Sequence, residues 1–289
     1  MKITDSYNYK ISVVIATIGG DSLKKTIESI NKGIIIPNEI IVVIPNSRAF
    51  KTDDLSIHNV RVVITPYSGQ VKQRLEGFRQ AKYDLVMQLD DDMLMDQHAI
   101  EYMTHSLNRI GPGNVIGPSF YDPKRLRSLN KFDLGVIGFI KSISSFCLSS
   151  APWGAQRMGK VTSIGIAYGL DPVLFKQGIN YTEWLPGGCV MSFKQDLIID
   201  DFFPYAGKAY SEDVIHSLLR NLKGIKHCVD TNAKAYTRVN DLPFNWNDFL
   251  AELKVRLYIV NLMGGSKLKL LFWSIFQLPA RLYRQSSKV

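Results

Sequence analysis

Cysteine is scarce in this chain. Three of the 289 residues are cysteines (Cys147, Cys189 and Cys228), and their spacing matches neither a zinc site nor a disulfide framework. The first ten residues, MKITDSYNYK, contain no apolar stretch of the kind found in a secretory signal. These absences exclude a small disulfide-stabilised secreted domain and predict a chain with reduced thiols in the cytoplasm.

Long apolar runs are also missing. Residues 134–153 are interrupted by Gly135, Gly138 and Lys141, and the apolar run within residues 266–288 is shorter than the ~20 residues that span a bilayer. The first segment is predicted to be an interfacial or acceptor-side element, or a buried hairpin. The second surrounds leucine, phenylalanine and tryptophan with lysine and arginine. It is predicted either to lie on an anionic membrane surface as a basic helix or to pack on the core.

Negative charge is in deficit, since 35 lysines and arginines face 26 aspartates and glutamates, for a net charge of +9. A basic balance of this size raises the hypothesis of a nucleic-acid partner. The basic residues are spread widely, however, and no recognition motif accompanies them, so nucleic acid is not predicted to bind. With 46% hydrophobic residues, the composition is instead typical of a globular chain with a large core.

Apolar runs and helical patterns alternate through the first half of the chain. Strands are predicted at residues 11–16, 39–44, 60–64 and 84–89, and helices at residues 21–33, 69–82 and 97–109. Alternation of this kind predicts an α/β fold with a mainly parallel central sheet and helices on both faces.

The pattern loosens beyond residue 115. Residues 118–186 are rich in Gly, Ser and Pro, which predicts an irregular or hairpin region on the acceptor side of the sheet. Helical periodicity returns at residues 211–224 and 246–263. We therefore predict one domain over residues 1–240, followed by a C-terminal helical extension over residues 241–289.

Three consecutive carboxylates, Asp90, Asp91 and Asp92, follow the predicted strand at residues 84–89. In an open parallel sheet, ligands bind beyond the carboxyl ends of the strands. Hard oxygen ligands suit Mg²⁺ or Mn²⁺, which bind through one or two carboxylates and through phosphate oxygens. A solvated acidic turn is the alternative, but the position after a buried strand favours a site for a metal and a diphosphate.

A second acidic pair lies in the segment YSEDVIHSLL. Ser211 is a candidate N-cap that places Glu212 and Asp213 in the first helical turn, where acidic residues also favour the helix dipole. Gly187 and Gly188, just upstream, allow the backbone to approach a ligand closely. One carboxylate beside a metal-bound diphosphate could take a proton from an acceptor hydroxyl.

The ordered set of motifs resembles the family 2 glycosyltransferases, which have the GT-A fold. The resemblance covers about residues 10–240, and the segments SVVIATIGG, QRLEGFRQAKYDLVMQLDDD and SEDVIHSLLRNLKG follow the order of the family. It implies a metal-dependent, inverting enzyme that moves a sugar from a nucleotide-diphosphate sugar to a hydroxyl, with Mn²⁺ or Mg²⁺ as cofactor.

The same resemblance implies roles for individual residues. Asp92 would bind the metal directly, and Asp90 would face the metal or the ribose. Asp213 would be the catalytic base, with Glu212 orienting it or binding the acceptor. The nucleotide-sugar site would be formed by Ala16, Thr17, Asn46, Arg74, Asp90 and Asp91. The candidates on the acceptor or sugar side are Trp184, Gly187 and Gly188.

Trp184 and two histidines have competing interpretations. Trp184 could stack on a sugar face or pack in the core. His216 and His227 are predicted to be structural, although histidine metal ligands occur in GT-A folds.

One position departs from the family pattern. The second strand ends in Ile44, Pro45 and Asn46, where the family commonly has an acidic pair that contacts the base. Asn46 could hydrogen-bond a base edge, but the acidic contact to uracil is missing, so the donor could carry uracil, guanine or thymine. UDP is the first choice of donor nucleotide, and GDP and dTDP are alternatives. The predicted acceptor is a saccharide or a lipid-linked saccharide in bacterial surface polysaccharide assembly, with the enzyme peripheral on the inner face of the cytoplasmic membrane.

Two other functions remain open. A sugar nucleotidyltransferase would carry a Gly-rich, basic phosphate loop after the first strand, and TIGGDSLKK lacks that pattern. A non-catalytic GT-A-like binding protein would have lost the acidic groups, and both sets are present.

Overall fold

A mixed nine-stranded sheet lies at the centre of the computed structural model, which describes residues 10–124, 126–205, 208–237 and 244–286. In space the described strands run β3-β2-β1-β4-β8-β6-β9-β5, and β7 pairs with β9. Their bounds are β1 (Ile11–Ala16), β2 (Glu39–Pro45), β3 (Val60–Thr65), β4 (Leu85–Asp90), β5 (Leu94–Met95), β6 (Asn114–Tyr121), β7 (Ile179–Thr182), β8 (Cys189–Phe193) and β9 (Lys226–Tyr236).

The core of the sheet is parallel. Strands β3, β2, β1 and β4 all run in the same direction, whereas β8 is antiparallel to both β4 and β6. Strands β1, β2 and β4 consist of nearly continuous apolar runs because helices cover both of their faces. Strand β3 lies at the edge of the sheet and is only partly buried. The prediction of a mainly parallel core is confirmed, and the four predicted strands agree with the structure to within one residue at each end.

Helices pack on both faces of the sheet. Their bounds are α1 (Leu23–Asn31), α2 (Gln70–Gln80), α3 (Ala99–Ile110), α4 (Gly135–Ser149), α5 (Glu212–Leu222), α6 (Trp246–Leu262) and α7 (Lys267–Ser286). Successive residues of β1 point to opposite faces. Val13 packs in the cluster that contains α1 and α3, whereas Val14 packs in the cluster that contains α2, α5 and α6. The predicted layering is therefore confirmed.

Helix α2 approaches the sheet very closely at Gly77. A Cβ atom at this position would lie 2.3 Å from Val14 Cγ1 and 3.1 Å from Val43 Cγ2. Only glycine fits such a contact without displacing the neighbouring strands. The close packing places the first two turns of α2, which carry Gln70 and Arg74, against the carboxyl ends of β1 and β4.

The region predicted to be irregular or a hairpin contains a 15-residue helix, α4, so the hairpin alternative does not form at residues 135–149. Helix α7 packs beside α4 and α6, and its Leu270 is buried. Other apolar residues of α7 remain exposed, so packing covers only part of that helix. In the described part of the chain, none of the helices has both the length and the hydropathy of a membrane span.

Candidate active site

The acidic cluster lies at the carboxyl edge of the parallel core. Ala16, at the end of β1, is in register with Asp90, at the end of β4. The backbone N–H of Asp90 donates to the carbonyl oxygen of Gly188 at 2.9 Å, because antiparallel β8 begins beside the end of β4. The pairing therefore brings the glycine segment 187–188 next to a carboxylate nearly 100 residues earlier in the chain.

A cavity of about 440 Å³ opens at this edge. Side chains of the acidic cluster and of the first turn of α5 both line it, although the two segments lie far apart in sequence. The lining residues singled out in the sequence are Asp90, Asp92, Trp184, Gly187, Gly188, Ser211, Glu212 and Asp213, and Gln70 at the start of α2 also lines the cavity. The structure thus brings the two predicted constellations into one cavity.

One buried cation joins the two constellations. Arg74 is 3% exposed, and its guanidinium donates to Glu212 Oε1 at 2.6 Å and to Asp90 Oδ1 at 3.1 Å. Burial disfavours the charge on Arg74, but the two carboxylates outweigh that penalty and raise the pKa of the guanidinium above its ordinary value. Arg74, predicted to bind the nucleotide, therefore already has two carboxylate partners beneath the cavity.

The negative charge of the carboxylates at the end of β4 is only partly neutralised. Burial raises the pKa of Asp90 to about 6, although Arg74 opposes the shift, and Gln70 Nε2 also donates to Asp90 Oδ1 at 3.0 Å. Burial and the neighbouring charge of Asp91 raise the pKa of Asp92, whose side chain is exposed in the cavity. A cation bound in the cavity would stabilise the deprotonated form of these two carboxyl groups.

A divalent cation fits this donor set. Within the described residues, no group of three or more His, Cys, Asp or Glu side chains could enclose a metal by itself. A magnesium-type site needs only one or two carboxylates, because phosphate oxygens and water complete the octahedron. Asp92 and Asp90 would supply hard oxygen ligands at the cavity wall, with the remaining positions left to a diphosphate and water.

Asp91 has a different environment from its neighbours. Its side chain accepts a hydrogen bond from the Thr17 hydroxyl, and its backbone carbonyl accepts one from Thr26 Oγ1 at 2.9 Å. Thr17 Oγ1 in turn accepts from the backbone N–H of Gly19 at 2.9 Å. Asp91 therefore holds the loop after β1, and a role in nucleotide binding would act through that loop.

Asp213 is the carboxylate that faces the cavity from α5. Its Oδ1 accepts from the N–H of Val214 at 2.9 Å, and its Oδ2 accepts from the N–H of Gly187 at 3.3 Å. Burial, together with the adjacent charge of Glu212, raises the pKa of Asp213 to about 7. A carboxylate with a pKa near neutrality has the protonation behaviour of a general base.

The backbone at Gly187 lies very close to the side chains of Glu212 and Asp213. A Cβ on Gly187 would lie 2.7 Å from Glu212 Oε1 and 3.2 Å from Asp213 Cβ. Ser211 occupies the predicted N-cap position, but in the left-handed conformation (φ 48°) and without a side-chain capping bond. Such strain in a non-glycine residue is found most often at functional sites.

The remaining predicted residues lie around this centre. The Trp184 indole lines the cavity while its Nε1 donates to the carbonyl of Tyr168 at 2.9 Å, and stacking of this ring on a sugar stays a prediction. Asn46 is exposed at the start of a short 3₁₀ helix after β2, at the same sheet edge as Ala16 but outside the cavity wall.

The two histidines are buried, and burial lowers the pKa of each. His216 stacks on Phe202 with ring centroids 4.6 Å apart, and the pKa of His227 falls to about 3. Neither side chain lines the cavity. Both histidines are therefore neutral groups in the packing around α5 and β9.

Sequence reasoning did not identify two of the residues that hold the site together. Gln88 Nε2 donates to the carbonyl of Gly187 at 2.6 Å, and Lys51 Nζ donates to the carbonyl of Gly19 at 3.1 Å. An amide inside the apolar strand LVMQLD was a usable signal for Gln88, because a buried polar group needs a partner. Nothing in the sequence distinguishes Lys51 from other surface lysines.

The position of Gln73 near the start of a helix allows two interpretations from the sequence: a residue that faces a phosphate, or a residue that only marks the helix start. The structure shows that it is buried and that its Nε2 donates to the carbonyls of Thr17 and Val43, both at 2.8 Å. Gln73 therefore ties α2 to the ends of β1 and β2, instead of facing a phosphate.

The fold and the carboxylate-lined cavity define a GT-A-type α/β protein. Residues 12–159 match the sequence profile described as glycosyl transferase family 2. The chain therefore belongs to glycosyl transferase family 2. No curated protein sequence matches the chain significantly.

Solved structures with the same fold include two glycosyltransferases. GalNAc-T7, crystallised with UDP, GalNAc and Mn²⁺, superposes with a TM-score of 0.58 at 14% identity, covering 82% of this chain and 45% of that chain. Residues 1–349 of S. aureus TarS in complex with UDP-GlcNAc superpose with a TM-score of 0.52 at 14% identity, covering 86% of this chain and 66% of that one. The chain thus spans less than two thirds of each, and the likeness shows the fold.

Proposed function

We propose that the protein is an inverting glycosyltransferase that moves a sugar from a nucleotide-diphosphate sugar to a hydroxyl of a saccharide or lipid-linked acceptor. The observation that carries this proposal is the single cavity with Asp90 and Asp92 on one wall and Asp213 on another. UDP is the first choice of donor nucleotide, supported by the solved relatives that contain UDP or UDP-GlcNAc. Bacterial surface polysaccharide assembly in the cytoplasm is the proposed setting.

Mn²⁺ or Mg²⁺ is the proposed cofactor, held by Asp92 with Asp90 beside it. The metal, when bound, would neutralise the charge that develops on the departing diphosphate. Arg74 fixes Asp90 from below, and Gln70 fixes it from the side. The chain's own contribution is therefore to hold Asp90 at the sheet edge before the donor arrives.

Asp213 is the proposed base. It would accept the proton of the acceptor hydroxyl as that oxygen attacks the anomeric carbon and the bond to the diphosphate oxygen breaks. A single displacement of this kind inverts the configuration and needs only one catalytic carboxylate. Glu212 is buried and bound to Arg74, so its proposed role is to position Arg74 and, through the adjacent backbone, Asp213.

The donor site can be tested with Asp92→Asn. We expect UDP with Mn²⁺ or Mg²⁺ to raise the melting temperature of the wild type, since a ligand at ~100 times its dissociation constant stabilises a fold by about 2.7 kcal/mol. The shift should disappear with chelator and in Asp92→Asn, which removes an anionic ligand. A thermal-shift panel of UDP, GDP, dTDP and CDP measures it.

Asp200→Asn is the matched control for that panel, because Asp200 is exposed and does not line the cavity. It should keep the wild-type response. A wild type that responds to none of the four nucleotides with either metal would contradict the donor site. Release of pyrophosphate instead of a nucleoside diphosphate during turnover would point to a nucleotidyltransferase.

The raised pKa of Asp213 predicts a pH dependence. A base acts in its deprotonated form, so transfer should increase as the pH rises through about 7 and then level off. Folding favours the protonated carboxyl, because its pKa lies above the ordinary value of 3.8. Asp213 should therefore lower the free energy of unfolding as the pH rises from 3.8 to about 7.

A pH–rate profile and urea unfolding of wild type and Asp213→Asn at each pH measure these two effects. The stability difference between the two proteins should change across that range. A rate that is flat between pH 5 and pH 9 would argue against this carboxylate as the base.

A further inference from the structure

Helix α4 has an inverted orientation on the protein. A helix on the surface of a globular protein normally turns its apolar side to the core. In α4 the buried positions include two serines, with Ser142 at 3% exposure and Ser149 fully buried. Val136, by contrast, is 76% exposed, and Phe139 is also exposed. The polar side of this helix faces the protein, and an apolar side faces outward.

Hydrogen bonds fix α4 in this orientation. Ser142 Oγ donates to the carbonyl of Gly138 at 2.7 Å, and Ser149 Oγ donates to the carbonyl of Ser145 at 2.6 Å. Arg157, itself buried, donates to Ser142 Oγ at 2.8 Å. Rotating the helix to bury its apolar side would leave Arg157 without this acceptor and would expose the satisfied serines.

Helix α7 is inverted only in part, because its inward side buries Leu270 as well as a serine. Ser274 is 4% exposed and donates to the carbonyl of Leu270 at 2.8 Å, while Phe272 is 61% exposed. The two helices pack against each other, and Lys269 of α7 donates to Ser150 at the end of α4. Their exposed apolar residues are here named the α4–α7 face: Val136, Phe139, Ile140, Ile143, Phe146, Leu271, Phe272, Ile275 and Phe276.

The charges on the two helices have one sign. Neither α4 nor α7 contains Asp or Glu, whereas α4 contains Lys141 and α7 contains Lys267, Lys269, Arg281 and Arg284. Lys141 pairs with Asp133, which precedes α4, and Lys267 is exposed. A second copy of this face would meet like charge, in a chain of net charge +9. Anionic lipid complements both the apolar and the basic residues.

We propose that the α4–α7 face docks the protein on an anionic membrane surface, with its aromatic and aliphatic side chains in the interface. The pairing of α4 with α7 goes beyond the basic C-terminal segment that the sequence suggests. The chain leaves the cavity wall at Asn130 and enters α4 at Gly135, so α4 follows a cavity-lining residue closely along the chain. Docking needs neither donor nor acceptor and therefore stands apart from the proposed transfer reaction.

Vesicle flotation of the full chain tests the surface. The vesicles contain phosphatidylcholine alone or phosphatidylcholine with phosphatidylglycerol. The face variant combines Phe139→Ser, Phe146→Ser, Phe272→Ser and Phe276→Ser. The control variant changes four exposed apolar residues outside the face, namely Ile34→Ser, Phe50→Ser, Val173→Ser and Leu222→Ser.

Wild type and control variant should float with the anionic vesicles and much less with the neutral ones. The face variant should bind at least tenfold more weakly while keeping its melting temperature and its thermal shift with UDP and metal. If the face variant is unstable, Lys267→Glu gives a second test. Reversing one charge near the membrane surface should weaken binding to the anionic vesicles by about fivefold or more.

Three results would overturn the proposal. The wild type could fail to bind anionic vesicles, or the face variant or Lys267→Glu could bind them as well as the wild type does. The wild type could also form concentration-dependent dimers that the face variant abolishes. The last result would assign the face to a second copy of the chain. Nucleotide binding is read separately in every case, so failure of docking would leave the proposed donor site intact.

Discussion

Asp213→Asn is expected to lower sugar transfer by ~10²-fold or more, which is the contribution of a positioned general base. The amide keeps the size of the carboxylate and can still accept from the N–H of Val214 or of Gly187. It cannot take the proton of an acceptor hydroxyl. Binding of nucleotide and metal, which we propose for the wall formed by Asp90 and Asp92, should stay close to wild type.

Steady-state release of nucleoside diphosphate, with the donor identified by the thermal-shift panel, measures this loss. The effect should fall on kcat and leave the melting-temperature shift with nucleotide unchanged. Asp200→Asn, with the same chemical change on an exposed aspartate, should retain full turnover. Wild-type turnover by Asp213→Asn with the true acceptor would show that the proton goes elsewhere.

Arg74→Met is expected to destabilise the fold by about 3–5 kcal/mol, the usual cost of removing one partner from a buried ion pair. Methionine replaces the aliphatic part of the side chain, so little packing is lost. What remains is the buried carboxylate of Glu212 without its cation, since its other oxygen, Oε2, has no hydrogen-bond partner among the described residues. Asp90 loses the same partner but is more exposed, and water screens its charge better.

Urea unfolding measures this destabilisation, with the same dependence of the unfolding free energy on urea concentration used for all variants. The matched control is Arg79→Met on the same helix, where the ion pair with Glu76 is exposed and should cost about 1 kcal/mol or less. Adding Glu212→Gln to Arg74→Met should restore part of the stability, because the uncompensated charge is then gone. A double-mutant cycle with no coupling between positions 74 and 212 would contradict the proposed link.

The same variant also tests how the two walls of the cavity are connected. Arg74 contacts Asp90 on the proposed donor side and Glu212 on the proposed acceptor side. If this cation holds the two walls in place, Arg74→Met should weaken nucleotide binding and lower kcat together. A protein that lost only stability would show that Arg74 acts as a structural residue.

The sequence by itself determined the parallel core and the candidate carboxylates. Strands β1, β2 and β4 were predictable because helices cover both of their faces, so their burial appears as continuous apolar runs. The acidic cluster was identifiable because three like charges directly after a buried strand need a counter-charge. Glu212 and Asp213 followed from their place at a helix start in the order of the family motifs.

Only the tertiary structure decided which of these groups meet. Arg74 and Glu212 are 138 positions apart, and no local pattern encodes which carboxylate a buried arginine will contact. Helix α4 shows the same limit, because its apolar composition was visible but the side it turns outward was not. The spacing of apolar residues along a segment indicates that the segment has a buried side, but not which distant segment covers that side. Contacts between distant segments depend on how strands and helices are ordered in space.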